Sequence, residues 1–151
     1  MAVVTFSHRH LVILALGAAV ACGHQAPLVP LPATPAETVE AFLAAVNASN
    51  QERMAGLFGD EQGPVSRTRR NSDAVRTQQM TIFQRLLRGE AHEITATDIT
   101  TPEKPKLSVT ITQGTRRFTV PFTMVRARQG GWLVWQIDLT PAMPTAGSQP
   151  R

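Results

Sequence analysis

The fold of this protein is decided by residues Arg116–Leu139, which read RRFTVPFTMVRARQGGWLVWQIDL. Val, Phe and Trp are strong sheet formers, and polar residues alternate with them over much of this stretch. Gln129-Gly130-Gly131 interrupts the alternation with residues typical of a turn. The stretch therefore predicts two long strands, Arg116–Arg128 and Trp132–Leu139, joined as a hairpin whose apolar side needs a covering layer.

Helices upstream of the hairpin can supply that layer. The run TPAE at Thr34–Glu37 combines an N-cap residue, a proline at the first helical position and the glutamate of a capping box. An apolar stripe at helical spacing follows it, and Asn50 can cap a short second helix. Ser72 starts a third helix that Gly89 ends. The face predicted to be buried on this helix consists of Val75, Gln79, Ile82, Phe83, Leu86 and Leu87.

Beyond the third helix the apolar period changes to two, which predicts strands. His92–Thr100 is rich in Thr, and a regular strand there would place Ile94, Ala96 and Asp98 on one side. Lys106–Thr112 alternates in the same way. The order of elements predicts an α+β fold, with N-terminal helices packed on a curved antiparallel sheet of about four strands.

The N-terminal residues have the pattern of an export signal. Arg9 precedes the apolar run Leu11–Ala21, which is too short to cross a bilayer as a helix but suits a signal peptide. Ala19-Val20-Ala21-Cys22 resembles a bacterial lipobox, although Ala19 stands where the usual Leu would be. The same small residues also fit an ordinary cleavage site, which would release a soluble protein.

Cys22 favours lipidation, because it is the only cysteine of the chain and has no internal disulfide partner. We predict a lipoprotein signal peptide at residues 1–21. Gly23 replaces the Asp that typically marks inner-membrane retention, so the lipoprotein resemblance implies a bacterial outer-membrane protein that faces the periplasm. Residues 22–33 contain three prolines and predict a polyproline-like tether. The folded domain is then predicted at 34–140 and a flexible tail at 141–151.

The element order resembles the nuclear transport factor 2-like superfamily, also called the cystatin-like cone fold, and in particular its small bacterial lipoproteins. The resemblance is carried by the opening helix Thr34–Asn47, the MAGLF turn at Met54–Phe58 and the closing strand Gly130–Asp138. It implies a cone-shaped α+β domain, in a fold that hosts many functions. Cone folds usually carry another sheet segment between the helices, which Asp60–Asn71 is too polar to predict.

Asp98 is the catalytic candidate. Some cone-fold enzymes resemble ketosteroid isomerase, in which an Asp base works with a Tyr or a protonated Asp donor. This chain has no Tyr. If Asp98 shares a face with Ile94, it would point into a cavity and have a raised pKa. The alternative is a strand-end carboxylate that faces water or caps a turn. His92 is expected to be a solvated loop residue.

Cofactors and metals are not predicted. The sequence has no clustered Cys and His for a structural zinc site, and no phosphate-binding loop, nucleophile elbow or dinucleotide fingerprint. A net charge of +4 is mild, and no aromatic residues are interleaved with basic ones. The sequence therefore predicts no nucleic-acid partner.

Arginines form two groups in the sequence. Arg67, Arg69 and Arg70 lie in the predicted polar loop. The second group lies in the hairpin, which is expected to bring its members across from one another. It consists of Arg116, Arg117, Arg126 and Arg128. Asp138 is expected to pair with Arg126 or Arg128. Both groups are typical of a solvated face, and the alternative is contact with anionic headgroups or an acidic partner.

Trp132 and Trp135 fall on opposite faces of a regular strand, so both faces of the hairpin are apolar. One explanation is a homodimer through the sheet. The other, which we favour, is a β-bulge near Trp135-Gln136 that turns Trp132, Val134 and Ile137 toward the core. An exposed Trp would mark a binding surface.

Together these features predict a non-enzymatic envelope lipoprotein, anchored to the membrane by lipid, whose domain binds a small apolar ligand or a protein partner. The alternatives are an exported cone-fold enzyme of the isomerase or hydrolase type, and a purely structural or dimerising module. The residues expected to form the ligand or partner surface are Trp132, Trp135, Arg67, Arg69 and Arg70.

Overall fold

The computed structural model of the protein describes residues 29–68 and 72–144. Across these residues three α-helices precede a four-stranded antiparallel sheet, so the predicted α+β fold is confirmed. The helices are α1 (Pro35–Asn47), α2 (Gln51–Leu57) and α3 (Asp73–Leu87), and a small hairpin of β1 (Gly59–Asp60) and β2 (Gly63–Pro64) lies between α2 and α3. The sheet consists, in order, of β3 (Ala91–Asp98), β4 (Lys106–Gln113), β5 (Arg116–Arg126) and β6 (Trp132–Ile137), and a 3₁₀ turn follows at Thr140–Ala142.

The helices begin where their caps predict. The Thr34 hydroxyl accepts the Glu37 N–H at 3.2 Å, and the Glu37 carboxylate accepts the Thr34 N–H at 3.0 Å, which completes the capping box. Asn50 and Ser72 cap α2 and α3 in the same way, through side-chain oxygens that accept backbone N–H groups.

The core fills the space between the helices and the inner face of the sheet. Phe42 is 0% exposed, and its ring meets Phe83 and Phe122 edge to face at centroid distances of 6.0 and 6.3 Å. Such ring pairs contribute about 0.5–1.5 kcal/mol beyond the burial of their area. The sheet residues of this core are Leu107, Val109, Ile111, Phe118, Val120, Phe122, Met124 and Val134.

Helix α3 buries only part of the predicted face, in which Phe83 and Leu87 are buried and Leu86 packs against the core. Val75 and Ile82 are 50% and 39% exposed. Phe83 is buried as predicted and lies between Phe42 and Phe58, with centroid distances of 6.0 and 5.0 Å. The contacts of this ring with α1 and the end of α2 set the rotation of α3. The buried residues of α3 are Met80, Phe83 and Leu87.

The predicted polar loop Asp60–Asn71 contains part of the hairpin β1–β2, so the sheet segment that its polarity argued against is present. Gly59 pairs with Pro64, and the Asp60 carboxylate accepts the Gln62 N–H at 2.8 Å. Backbone pairing and this side-chain acceptor form the hairpin. Its side chains therefore carry no alternating apolar pattern to reveal it.

Strand β6 has a bulge at Trp135, as the sequence favoured. The register passes from the pair Met124–Val134 to the pair Thr123–Gln136, which leaves Trp135 as the extra residue. The bulge brings three residues of β6 to the main core, and these are Trp132, Val134 and Ile137.

Apolar residues on the other face of the hairpin are covered by the chain that precedes α1. Leu31 packs against Leu133 and Val125 in a second small core, and the Trp132 N–H donates to the Pro32 carbonyl at 3.0 Å. Leu31 and Pro32, which precede the predicted start of the domain at residue 34, therefore contact the sheet. The last part of the predicted tether is fastened to the sheet.

The arginines of the hairpin do not meet across it, because three of them lie on one strand. Arg116 and Arg117 are at the start of β5 and Arg126 is at its end. A strand of 11 residues separates its ends by about 33 Å, at roughly 3.3 Å per residue. Asp138 does not pair with Arg126 or Arg128 in the described chain; its carboxylate accepts the N–H of Thr140 at 3.0 Å.

The predicted flexible tail is ordered over its first residues. The Arg116 guanidinium donates to the carbonyls of Pro141, Ala142 and Met143 at 3.0, 2.9 and 2.7 Å. This ties the 3₁₀ turn to the start of β5. Residues 145–151 lie outside the described chain, as do Cys22 and the predicted signal peptide.

Candidate functional site

An open apolar groove of about 410 Å³ lies where α1 begins. The first turn of α1 forms one wall, and the end of β3 with the loop that follows it forms the other. Leu107 and Trp132 lie between the two walls. The remaining residues that line the groove are Thr34, Pro35, Ala36, Thr97, Ile99, Pro102 and Pro105.

The groove can hold an apolar group but offers little chemistry of its own. None of the described residues that line it has a titratable side chain. Its side-chain polar groups are the hydroxyls of Thr34 and Thr97 and the indole N–H of Trp132, and the Thr34 oxygen already caps α1. Ligand clefts of roughly 300–1,000 Å³ are typically apolar with a few polar groups, and this groove fits the lower part of that range.

A bulge in β3 decides which residues face the groove. The register with β4 shifts between Ile94 and Ala96, so Thr95 is an extra residue. Beyond the bulge the two sides of the strand exchange. Thr97 therefore lines the groove, and its neighbour Asp98 falls on the opposite side of the strand.

The bulge overturns the prediction that Asp98 points into a cavity as a base of raised pKa. Asp98 is exposed, and one of its carboxylate oxygens accepts from both the hydroxyl and the N–H of Thr100. The Thr100 hydroxyl, then the Thr100 N–H and, to a smaller extent, the charge of Lys106 lower the pKa of Asp98. Asp98 caps a turn, which is the alternative that the sequence left open.

We expect the Asp98 carboxyl to titrate below the ordinary Asp value of about 3.9, because Thr100 stabilises the charged form. Thr100→Val removes the hydroxyl donor and should move the pKa of Asp98 back toward that value. Since the folded pKa is depressed, any stability from this carboxylate is present above the unfolded pKa and lost as pH falls through the folded pKa. An NMR titration of the carboxyl carbon measures both proteins. A midpoint above the ordinary value in the unmodified protein would restore Asp98 as a candidate base.

His92 lies on β3 and not in a loop, which corrects the expectation from sequence. Its Nε2 atom is 2.6 Å from a carboxylate oxygen of Glu40 on α1. The His92 side chain is partly buried and the Glu40 side chain is half exposed. The pair joins the outermost strand of the sheet to α1, and neither residue lines the groove.

Of the predicted surface residues, the three that the structure describes lie apart from one another. Trp132 lines the groove, whereas the bulge displays Trp135 elsewhere, 38% exposed, with Lys104 Nζ 3.9 Å from its ring centroid. Arg67 is exposed and borders a separate cleft with Arg53. Arg69 and Arg70 lie outside the described residues.

Sequence reasoning found Trp132 but missed the other residues of the groove. Ile99, which is 70% exposed, was a usable signal because a large apolar residue past a strand end is exposed without a covering layer. Pro35 and Ala36 were assigned only to the helix start. Their second role depends on the loop that follows β3, which is distant in sequence.

Metal and membrane-spanning features are absent from the part of the chain described by the structure. Within residues 29–68 and 72–144, no group of three His, Cys, Asp or Glu side chains is placed to hold a metal ion. Over the same ranges, every helix is too short or too polar to cross a bilayer.

These features define a small α+β domain whose helices cover one face of an antiparallel sheet and leave an apolar groove at one end. The chain matches, over residues 31–143, the family described as "Protein of unknown function (DUF2950)". It belongs to this DUF2950 family. The match begins at Leu31, which also packs against the sheet. Neither the curated proteins nor the solved structures contain a match to the chain.

Proposed function

We propose that the protein is a bacterial envelope lipoprotein whose domain binds a small apolar ligand in the groove and catalyses no reaction. Acylated Cys22 anchors it in the outer membrane, and the domain faces the periplasm. The observation that carries the binding role is the lining of the groove, which presents apolar side chains and no titratable group. The resemblance to cone-fold domains supports a ligand site between helices and sheet.

The same lining argues against the alternative of an isomerase or hydrolase. General acid–base catalysis needs a titratable side chain within hydrogen-bond reach of the substrate. Asp98 lies on the opposite side of β3 and caps a turn, and His92 pairs with Glu40. The hydroxyl of Thr97 has no base beside it among the residues that line the groove.

The groove can be tested by filling it. We expect the neutral probe N-phenyl-1-naphthylamine to bind saturably to the unmodified protein, with a rise in probe fluorescence. Ala36→Phe places a ring in the groove and should abolish this binding. Ala44→Phe is the matched control, because Ala44 is also an exposed alanine of α1 but lies outside the groove. The proposal fails if the unmodified protein does not bind the probe, or if Ala36→Phe binds it equally well.

The anchor is tested separately in the native host. Cys22→Ala should remove acylation, measured by metabolic labelling with a fatty acid, and should move the protein from the membrane to the soluble periplasmic fraction. Gly23→Asp, with Cys22 retained, should shift the protein toward the inner-membrane fraction on a density gradient. Tight membrane association of Cys22→Ala would disprove the lipid anchor.

A further inference from the structure

The groove lies at the end of the domain where the chain from the anchor arrives. Antiparallel pairing places the loop after β3 and the turn between β5 and β6 at the same end of the sheet, opposite the β4–β5 turn. Trp132, the first residue of β6, lines the groove, and its N–H donates to the Pro32 carbonyl at 3.0 Å. The Thr38 hydroxyl donates to the Trp132 carbonyl at 3.4 Å. One residue thus joins the groove, α1 and the arriving chain.

The chain that precedes α1 is held against the sheet, and this shortens the tether. Leu31 is packed against Leu133 and Val125, and Gly131 passes so close to Leu31 that no side chain fits there. The tether that separates a lipid anchor from the domain is therefore the chain between Cys22 and the packed residue Leu31. Even fully extended, it spans at most about 32 Å, which is close to the roughly 30 Å thickness of a bilayer's hydrocarbon core. An acylated Cys22 therefore keeps the groove end close to the membrane surface.

The groove suits the apolar chains that such a surface offers. Its lining includes the large apolar side chains of Ile99, Leu107 and Trp132 and three prolines. An aliphatic chain needs no hydrogen-bond partner and no counter-charge. The residues that line the groove have no charged side chain and few polar groups. The short tether also gives the membrane lipids a high effective concentration at the groove.

We infer that the groove holds a single acyl chain of a lipid from the leaflet in which Cys22 is anchored. This inference rests on the proposed function and names its ligand class. Binding is driven by removal of the chain and of the groove walls from water, and the lipid headgroup stays at the membrane surface. The domain is then held to the membrane at two points, by its own acyl chains and by the captured one.

The two tryptophans of the chain provide the test, because one lines the groove and the other does not. The acylated protein is reconstituted in phosphatidylcholine vesicles whose acyl chains carry bromine, which quenches tryptophan on contact. In Trp135→Phe, only Trp132 emits, and we expect most of its emission to be lost. In Trp132→Phe, only Trp135 emits, and its emission should be largely retained. Adding Ala36→Phe to Trp135→Phe should restore the Trp132 emission, and adding Ala44→Phe should not.

Each result has one meaning. Loss of Trp132 emission that Ala36→Phe reverses supports acyl-chain capture. Undiminished Trp132 emission overturns it, and so does equal quenching of both tryptophans, which would report general immersion in the bilayer. If the naphthylamine probe binds the groove while brominated lipid leaves Trp132 emission unchanged, the groove still binds apolar ligands and only the acyl-chain inference fails. If the probe does not bind, the proposed function itself fails.

Discussion

Phe42→Ala should lower the free energy of unfolding by about 3–5 kcal/mol, the usual cost of removing a buried ring. Phe42 is 0% exposed and touches rings from α3 and from β5. Removal of its side chain leaves a cavity between three elements that relaxation cannot easily close. Since small domains are stable by only about 5–15 kcal/mol, the variant should be close to unfolding at physiological temperature.

Urea unfolding followed by tryptophan fluorescence measures this loss. Val75→Ala is the control, because Val75 is 50% exposed and its truncation should change stability by no more than about 0.5 kcal/mol. The control also tests which face of α3 is buried, since the sequence alone assigned Val75 to the core. Equal losses in Phe42→Ala and Val75→Ala would contradict the packing described above.

Gly131→Ala should destabilise the domain for two reasons that add. Gly131 has a φ of +79°, and a residue with a Cβ is strained there by about 1–3 kcal/mol. The new methyl would also collide with Leu31, and overpacking of this kind costs about 1–3 kcal/mol more. The collision should displace Leu31 and Pro32 from the sheet, which would break the hydrogen bond between the Trp132 N–H and the Pro32 carbonyl.

Gly130→Ala isolates the first of these effects. Gly130 has a φ of +94°, but a Cβ there would meet no atom within 4 Å. Its cost should therefore be the backbone strain alone. In a Leu31→Gly background, which removes the Cβ that the new methyl would meet, the additional penalty of Gly131→Ala over Gly130→Ala should become smaller, as a double-mutant cycle would show. If the two glycine variants are equally unstable in the parent protein, Leu31 is not fastened where the structure places it.

The packing of Leu31 and Pro32 against the sheet also bears on the proposed binding of an acyl chain in the groove. Leu31 and Pro32 hold the chain that precedes α1 to the sheet, so Gly131→Ala should lengthen the chain between Cys22 and the first packed residue. If an acyl chain enters the groove from the membrane, the variant should show weaker quenching of Trp132 by brominated lipid at a temperature where it is still folded.

Local signals in the sequence determined the order and the starts of the elements. Thr34, Asn50 and Ser72 each cap a helix by accepting a backbone N–H three residues away, so no distant contact is needed to recognise them. The β6 bulge at Trp135 was also predictable, because a regular strand would leave two apolar faces and only one helical layer. The excess of apolar residues in β6 therefore predicted the bulge.

Tertiary structure alone decided the groove, the side of β3 on which Asp98 lies, the rotation of α3 that exposes Val75 and Ile82, and the fastening of Leu31. The bulge at Thr95 leaves no mark in the sequence, because Thr and Ala suit either side of an exposed strand equally well. The rotation of α3 follows from the position of Phe83 between two rings that lie far away in the chain. Leu31 has no periodic neighbours, and only the apolar residues of β5 and β6 give it a partner. Capping and alternation act within a few residues, whereas these four features depend on contacts that form only when the whole chain packs.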